Sequence, residues 1–226
     1  MMNKNIFVAC DISSQKEILA LLELIHKDIS GIKIGLQYIT QRSPDEIREL
    51  SKFNKPIFYD AKFFDIKNTL LESINSLKNL NINYATVHLL NGLDALKAAN
   101  QAAKKINLNL LGVSVLTSFN DKDLQDLGFN NKAEDQVKRL ISIAAEAKLY
   151  GVICSPLEIK MIKKIAPNLK CFTPGIRMDD AKDDQKRTMS ANEAIKEGSD
   201  CLIIGRPITK GDPKKNIKTY VLLHQE

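Results

Sequence analysis

Asp60, Lys62 and Asp65 fall within six positions of the stretch Phe58-Tyr-Asp-Ala-Lys-Phe-Phe-Asp-Ile-Lys-Asn-Thr69. Side chains of these types can stabilise developing charge and move protons. The apolar run just before them, Pro56-Ile-Phe-Tyr, reads as a strand. Strand side chains alternate between faces, so Asp60 and Lys62 point the same way. A carboxylate and an ammonium on one inward face are costly to bury unless they pair and serve a purpose. The plain alternative is a structural ion pair. Asp65 lies past the strand's end, where it could equally cap a helix starting at Ile66.

What positions these residues is a repeated unit, an apolar strand-like run followed by an amphipathic helical stretch. The strand-like runs are Ile6–Cys10, Gly31–Leu36, Pro56–Tyr59, Tyr84–Leu89, Leu108–Leu116, Gly151–Cys154, Leu169–Phe172 and Asp200–Ile204. Between them, Ile18, Leu21, Leu22 and Ile25 keep helical spacing after Ser13-Ser14, and Ser43-Pro44 opens a second helix. Further helices are expected over about 66–79, 92–105, 133–148, from Ser155-Pro156, over 191–197 and over 213–223. The connection after Thr117-Ser118 reads as polar loop. Mostly continuous apolar strands argue for a parallel sheet covered on both faces. Eight such units fit a closed (β/α)8 TIM barrel, a single domain over residues 1–226. An open doubly wound sheet is the alternative, weakened because no G-x-G-x-x-G follows the first strand.

In such barrels the active site lies at the C-terminal ends of the strands. Polar residues gather there: Asp11 after the first strand, Asp60 and Lys62 in the third, Thr117 after the fifth, Arg177 after the seventh and Arg206 after the eighth. Lys33 stands inside the second strand. Gly205-Arg206-Pro207 suits an anion, since Gly205 admits backbone amides, Arg206 offers a fork of donors and Pro207 can start a helix. The charged connection from Arg177 to Ser190 has the length of a lid. Each residue also has a bland reading. Lys33 could snorkel between the helices, Asp11 could be a turn acid and Thr69 a first-turn helix residue. His88 is expected to be a hydrogen-bonded barrel histidine.

Composition narrows the classes. The 226 residues are 44% hydrophobic, enough for a sizeable core, and no stretch approaches the ~20 apolar residues of a membrane span. The N-terminus shows no signal-peptide pattern, so a cytoplasmic location is expected. Cys10, Cys154, Cys171 and Cys201 form no C-x-x-C pair and read as reduced, buried small hydrophobes. His26, His88 and His224 are too scattered for a metal site. The net charge of +6 comes from dispersed lysines; Lys163-Lys164 and Lys214-Lys215 are short and lack an aromatic ladder. This disfavours nucleic acid and suits an anionic small molecule.

Taken together, Val8-Ala-Cys-Asp11, Ile32-Lys-Ile-Gly35, Asp60-Ala-Lys-Phe-Phe-Asp-Ile66, Leu116-Thr-Ser118, Thr173-Pro-Gly-Ile-Arg177, Asp184-Gln-Lys-Arg187 and Ile204-Gly-Arg-Pro-Ile208 resemble the orotidine 5′-phosphate decarboxylase family, in its order and over nearly the whole chain. The resemblance implies a cytoplasmic homodimer of barrels that turns orotidine 5′-phosphate into UMP and CO2 with no cofactor or metal. It implies that Lys33, Asp60 and Lys62 of one subunit form a charge network with Asp65 of the other. Lys62 would be the proton donor. Thr69 from the partner and Asp11 would meet the ribose, Thr117 the pyrimidine, and Arg177, Gln185, Gly205 and Arg206 the phosphate. The segment Leu89-Leu-Asn-Gly92 departs from the family's small, Gly-rich pattern, with an effect expected on packing or the dimer surface. Two other readings stand beside this one. Mg²⁺-dependent sugar-phosphate decarboxylases or aldolases share D-x-K-x-x-D but carry an acid where Lys33 stands. A non-catalytic phosphate- or nucleic-acid-binding barrel is the other.

Overall fold

The computed structural model describes residues 5–177 and 188–222. Among them, eight parallel strands close into a barrel in sequence order: β1 (Ile6–Ala9), β2 (Gly31–Gly35), β3 (Ile57–Phe63), β4 (Tyr84–His88), β5 (Asn109–Val113), β6 (Gly151–Ile153), β7 (Lys170–Thr173) and β8 (Cys201–Ile204). β8 pairs back onto β1, with Phe7 opposite Ile203. The helices are α1 (Gln15–Ile25), α2 (Leu36–Ile39), α3 (Pro44–Glu49), α4 (Lys67–Ser76), α5 (Leu93–Lys105), α6 (Asp121–Asp126), α7 (Ala133–Glu146), α8 (Ile159–Ile165), α9 (Ala191–Lys196), α10 (Arg206–Thr209) and α11 (Pro213–Leu222).

Local chemistry starts these helices where hydroxyls precede acids. The Ser14 hydroxyl accepts from the Glu17 amide at α1, and the apolar stripe Ile18, Leu21, Leu22 and Ile25 is buried. Ser43 with Glu46 and Ser190 with Glu193 form reciprocal capping boxes at α3 and α9. Behind the strands, Val8, Ile32, Ile34, Ile57, Val87 and Leu110 pack against the helices' apolar stripes in the main core.

The barrel interior has two contrasting ends. Its N-terminal end is filled by aromatic rings: Phe7 and Phe172 lie 5.9 Å apart and Tyr84 and Phe172 5.4 Å apart between centroids. Gly31 makes room for this plug, because a Cβ there would sit 2.2 Å from the Phe7 ring. One layer higher, Lys33 is flanked across the strands by Ala9 and Phe58. The small Ala9 leaves space toward the C-terminal mouth.

The chain departs from the sequence-based expectation in a few places. β2 stops at Gly35 because Leu36–Ile39 coil into α2. β5 stops at Val113, which leaves Val115 and Leu116 to line a cavity instead of pairing. The connection after Thr117 contains α6, begun by a capping box between Asn120 and Asp123. Its polar composition, with Leu124 its buried residue, conceals it from a periodicity reading. All four cysteines are buried and unbridged, and burial pushes the Cys10 thiol up to about 12. Among the described residues, no helix is long and apolar enough to cross a membrane.

Candidate active site

A cavity of about 480 Å³ opens at the C-terminal end of the strands. Asp11, Lys33, Asp60, Lys62, Thr117, Arg177, Gly205 and Arg206 all line it. Val113, Val115, Leu116, Ile153 and Ile203 supply an apolar wall beside them.

The charged groups form a chain across β1, β2 and β3. Lys33 Nζ lies 3.0 Å from Asp11 Oδ1 and 3.5 Å from Asp60 Oδ2. Lys62 Nζ donates to Asp60 Oδ1 at 3.0 Å. Lys33 therefore points into the barrel, and its side chain is 9% exposed. Burial opposes the charge on Lys33, but the Asp60 and Asp11 carboxylates overcome it and hold its pKa above the ordinary value. Burial likewise opposes ionisation of Asp60, and the Lys33 and Lys62 ammonium groups outweigh it, so the pKa of Asp60 lies below its usual value. Asp11, Lys33, Asp60 and Lys62 alternate in sign and sum to zero.

The pairing of Asp60 with Lys62 matches the expectation, yet plain strand alternation does not produce it. Between the paired positions Tyr59–Ala85 and Phe63–Val87, β3 advances four residues while β4 advances two. The surplus makes a bulge, and Lys62 within it adopts left-handed backbone at φ 51°. The Lys62 amide donates to Thr86 Oγ1 at 2.8 Å, and the Thr86 hydroxyl donates to Asp60 Oδ1 at 3.0 Å. Sequence reasoning missed Thr86, since a β-branched residue inside a strand carries no signal beyond strand propensity. It also missed Gln37 and Thr209, which line the cavity from α2 and α10.

At the far side of the mouth, Gly205 lies against Ala9 and precedes α10, which starts at Arg206 with Pro207 second. Arg206 is exposed at the opening, whereas Arg177 is buried and its Nη1 donates to Ile176 O at 2.9 Å. Thr117 is exposed just beyond β5. This places two guanidinium groups and a glycine turn in the same cavity as the charge chain.

Asp65 and Thr69 are not in that cavity. Both are exposed, beside an exposed Phe64 and Ile66. Asp65 does not cap α4 either: Ile66 holds the N-cap position, no side chain bonds there, and Asp65 Oδ1 accepts from the adjacent Ile66 amide. Its loop is tied down by Asn91, whose Oδ1 accepts from the Asp65 amide at 3.2 Å and whose Nδ2 donates to Phe63 O and His88 O. The atypical Leu89–Asn91 turn thus braces the end of β3. His88 Nδ1 accepts from the Leu90 amide, in keeping with a hydrogen-bonded barrel histidine. Gln185 and the 178–187 part of the expected lid lie outside the described residues.

Known proteins resemble this chain in sequence and in fold. The family described as "Orotidine 5'-phosphate decarboxylase / HUMPS family" matches residues 4–220. The orotidine 5′-phosphate decarboxylase of Wolbachia pipientis subsp. Culex pipiens is 37% identical over 206 residues, 91% of either chain. That of Legionella pneumophila (strain Corby) is 36% identical over 98% of this chain and 99% of its own. A crystal structure of orotidine 5′-phosphate decarboxylase from Lactobacillus acidophilus has a TM-score of 0.87 and 28% identity, covering 99% of this chain and 100% of that one. With a family match over nearly its whole length and relatives above one-third identity, this chain belongs to the orotidine 5′-phosphate decarboxylase / HUMPS family.

Proposed function

We propose that this chain, a carboxy-lyase by family, converts orotidine 5′-phosphate to UMP and CO2, the last step of de novo pyrimidine nucleotide synthesis in the cytoplasm. One observation carries the reading: the alternating chain Asp11–Lys33–Asp60–Lys62 shares a cavity with the cationic pair Arg177 and Arg206. A substrate with a reacting centre at one end and a phosphate at the other fits that division.

The difficult step breaks the bond from C6 to the carboxylate carbon. CO2 leaves neutral, and the electron pair stays on C6 as a vinyl carbanion. Lys62 then gives a proton to C6, and its amine is left neutral until solvent returns the proton. A fixed ammonium inside a preorganised charge network stabilises that carbanion without reorganising at the moment of reaction. We put the weight on this stabilisation rather than on crowding of the substrate carboxylate by Asp60. Arg177, Gly205 and Arg206 hold the phosphate, remote from the bond that breaks, so their binding energy can serve closure and orientation. The reading extends to Gln185 as a further phosphate contact, to Thr117 beside the pyrimidine and to Asp11 at the ribose.

The same reading makes the enzyme a symmetric homodimer with shared sites. Asp65 and Thr69 sit outside their own cavity, next to Phe64 and Ile66, which are 62% and 74% exposed. A second copy covering this face would receive Asp65 into its charge network and Thr69 near its ribose site.

The test is direct. Purified protein treated with EDTA is expected to turn orotidine 5′-phosphate into UMP, whereas Lys62→Ala binds UMP without turnover. Absence of UMP, or turnover of a sugar phosphate that EDTA abolishes, would reject the proposal in favour of a Mg²⁺-dependent relative.

A further inference from the structure

We propose that Thr86 is a positioning residue: its hydroxyl locks the left-handed backbone of Lys62 to the Asp60 carboxylate and thereby sets where the Lys62 ammonium stands. The inference rests on the decarboxylase reading above for its kinetic consequence, but the geometry behind it is independent.

Among the described residues, five residues other than glycine have positive φ: Asn54, Lys62, Asn81, Asn107 and Lys148. Asn54, Asn81, Asn107 and Lys148 lie just beyond helical segments, where a left-handed residue commonly ends a helix. Lys62 is the one within a strand. Strained backbone persists only where its surroundings over-determine it. Here the regular ladder cannot be what holds it, because β3 and β4 fall out of register between Tyr59 and Phe63.

Thr86 sits on β4 between Ala85 and Val87, the two residues whose pairing brackets the bulge. Its side chain takes the place of the missing ladder acceptor for the Lys62 amide, at 2.8 Å. The direction of the second bond follows from the donor inventory. A hydroxyl has one proton, an amide can only donate, and an ionised carboxylate can only accept. With the Lys62 amide directed at its oxygen, the hydroxyl proton goes to Asp60 Oδ1. That same oxygen receives Lys62 Nζ at 3.0 Å. The backbone and the tip of Lys62 are therefore held to a single carboxylate through one hydroxyl. Thr86 is fully buried, so water does not stand in for it. It does not line the cavity and is not a candidate for substrate contact.

Valine has the shape of threonine and an equal liking for strands, but it can neither accept from Lys62 nor donate to Asp60. Thr86→Val and Thr86→Ser should be compared with wild type by kcat and KM for orotidine 5′-phosphate, normalised to UMP-binding sites, and by crystal structures. We expect kcat of Thr86→Val to fall about 100-fold, the scale of a misplaced catalytic group. KM should change little, and Thr86→Ser should recover most of the loss because it keeps the hydroxyl. In Thr86→Val the Lys62 φ should relax to negative values. Wild-type kcat in Thr86→Val, or Thr86→Ser as impaired as Thr86→Val, overturns the proposal. If Thr86→Val does not fold, Thr86→Ala against Thr86→Ser makes the same comparison. If wild type itself gives no UMP, the functional reading fails separately, and the crystal structure still decides: an unchanged Lys62 backbone and Lys62–Asp60 contact without the hydroxyl overturns the positioning role.

Discussion

Asp60→Asn removes the charge that separates two ammonium groups while keeping the side chain's shape. The network of Asp11, Lys33, Asp60 and Lys62 sums to zero in the wild type and to +1 in the variant. The asparagine oxygen can still accept from Thr86, so no hydroxyl is orphaned. Its amide nitrogen replaces Oδ2 and faces Lys33 Nζ donor to donor, so the charge and that 3.5 Å contact are lost together. Removing one partner of a buried ion pair costs about 3–5 kcal/mol. Two features reduce that figure here. Lys33 keeps Asp11 at 3.0 Å, although the Asp11 side chain is 54% exposed. Lys62 is 35% exposed, so solvent screens its lost attraction. The expected loss of stability at pH 7 is therefore about 2–3 kcal/mol. Urea unfolding with a shared m-value measures it.

The pH dependence has a determined sign. Asp60 has a folded pKa below its ordinary 3.8, so its charge stabilises the fold above that value. That contribution disappears as pH falls through the folded value. The gap between wild type and Asp60→Asn should thus be full at pH 7 and narrow below about pH 4. Lys33 works at the opposite limit: its pKa is raised above 10.5, so its contribution is present below that value and is lost as pH rises through the folded value. Adding Lys33→Met to Asp60→Asn should recover part of the loss, since it removes a buried ammonium and returns the network's sum to zero. A loss under about 0.5 kcal/mol, or a gap that widens on acidification, would refute the view that the ammonium groups outweigh burial at Asp60.

Further predictions concern the mouth and the proposed dimer. In Gly35→Ala the new Cβ would stand 3.0 Å from Asp11 Oδ1 and 3.3 Å from Lys33 Nζ. It should displace that pair and lower kcat about tenfold with little change in urea midpoint; unchanged kcat would show that the contact is not used. Arg206→Ala should lose catalytic efficiency. In the wild type, phosphite added to a substrate lacking its phosphate should restore part of the rate, and no activation by phosphite would count against a phosphate site at Gly205-Arg206. Lys62→Ala and Asp65→Ala are each expected to be inactive. Equal mixtures that exchange subunits should regain about a quarter of the wild-type sites, because half the dimers are mixed and each holds one intact site. Verified mixed dimers without activity would rule out a shared site.

Several features were legible in the chain because they are local. The spacing of Ile18, Leu21, Leu22 and Ile25, the Ser43-Pro44 start and the apolar strand runs each depend on neighbours within a few residues. Eight such units suffice to anticipate the barrel. Lys33, Asp60 and Lys62 stood out because a charge in an apolar strand is conspicuous. Thr86 and α6 did not, since a threonine suits a strand and a polar helix resembles a loop. Gln37 was hidden because the apolar run of β2 continues into α2 without a break.

By itself, then, the sequence determined the order of strands and helices, the end of the barrel that carries charge, and the family, all of which follow from local periodicity and from residue types at fixed spacing. Only the tertiary structure decided how Asp60 and Lys62 meet. Their contact depends on the register between β3 and β4, whose contacting residues lie 24 or more positions apart. A two-residue motif contains no information on that register. The bulge, the left-handed Lys62 and the Thr86 hydroxyl that holds both ends of it come into being only when the two strands pack. Asp65, three positions past Lys62 in the sequence, is exposed and lies outside the lining of the cavity that Asp60 and Lys62 share.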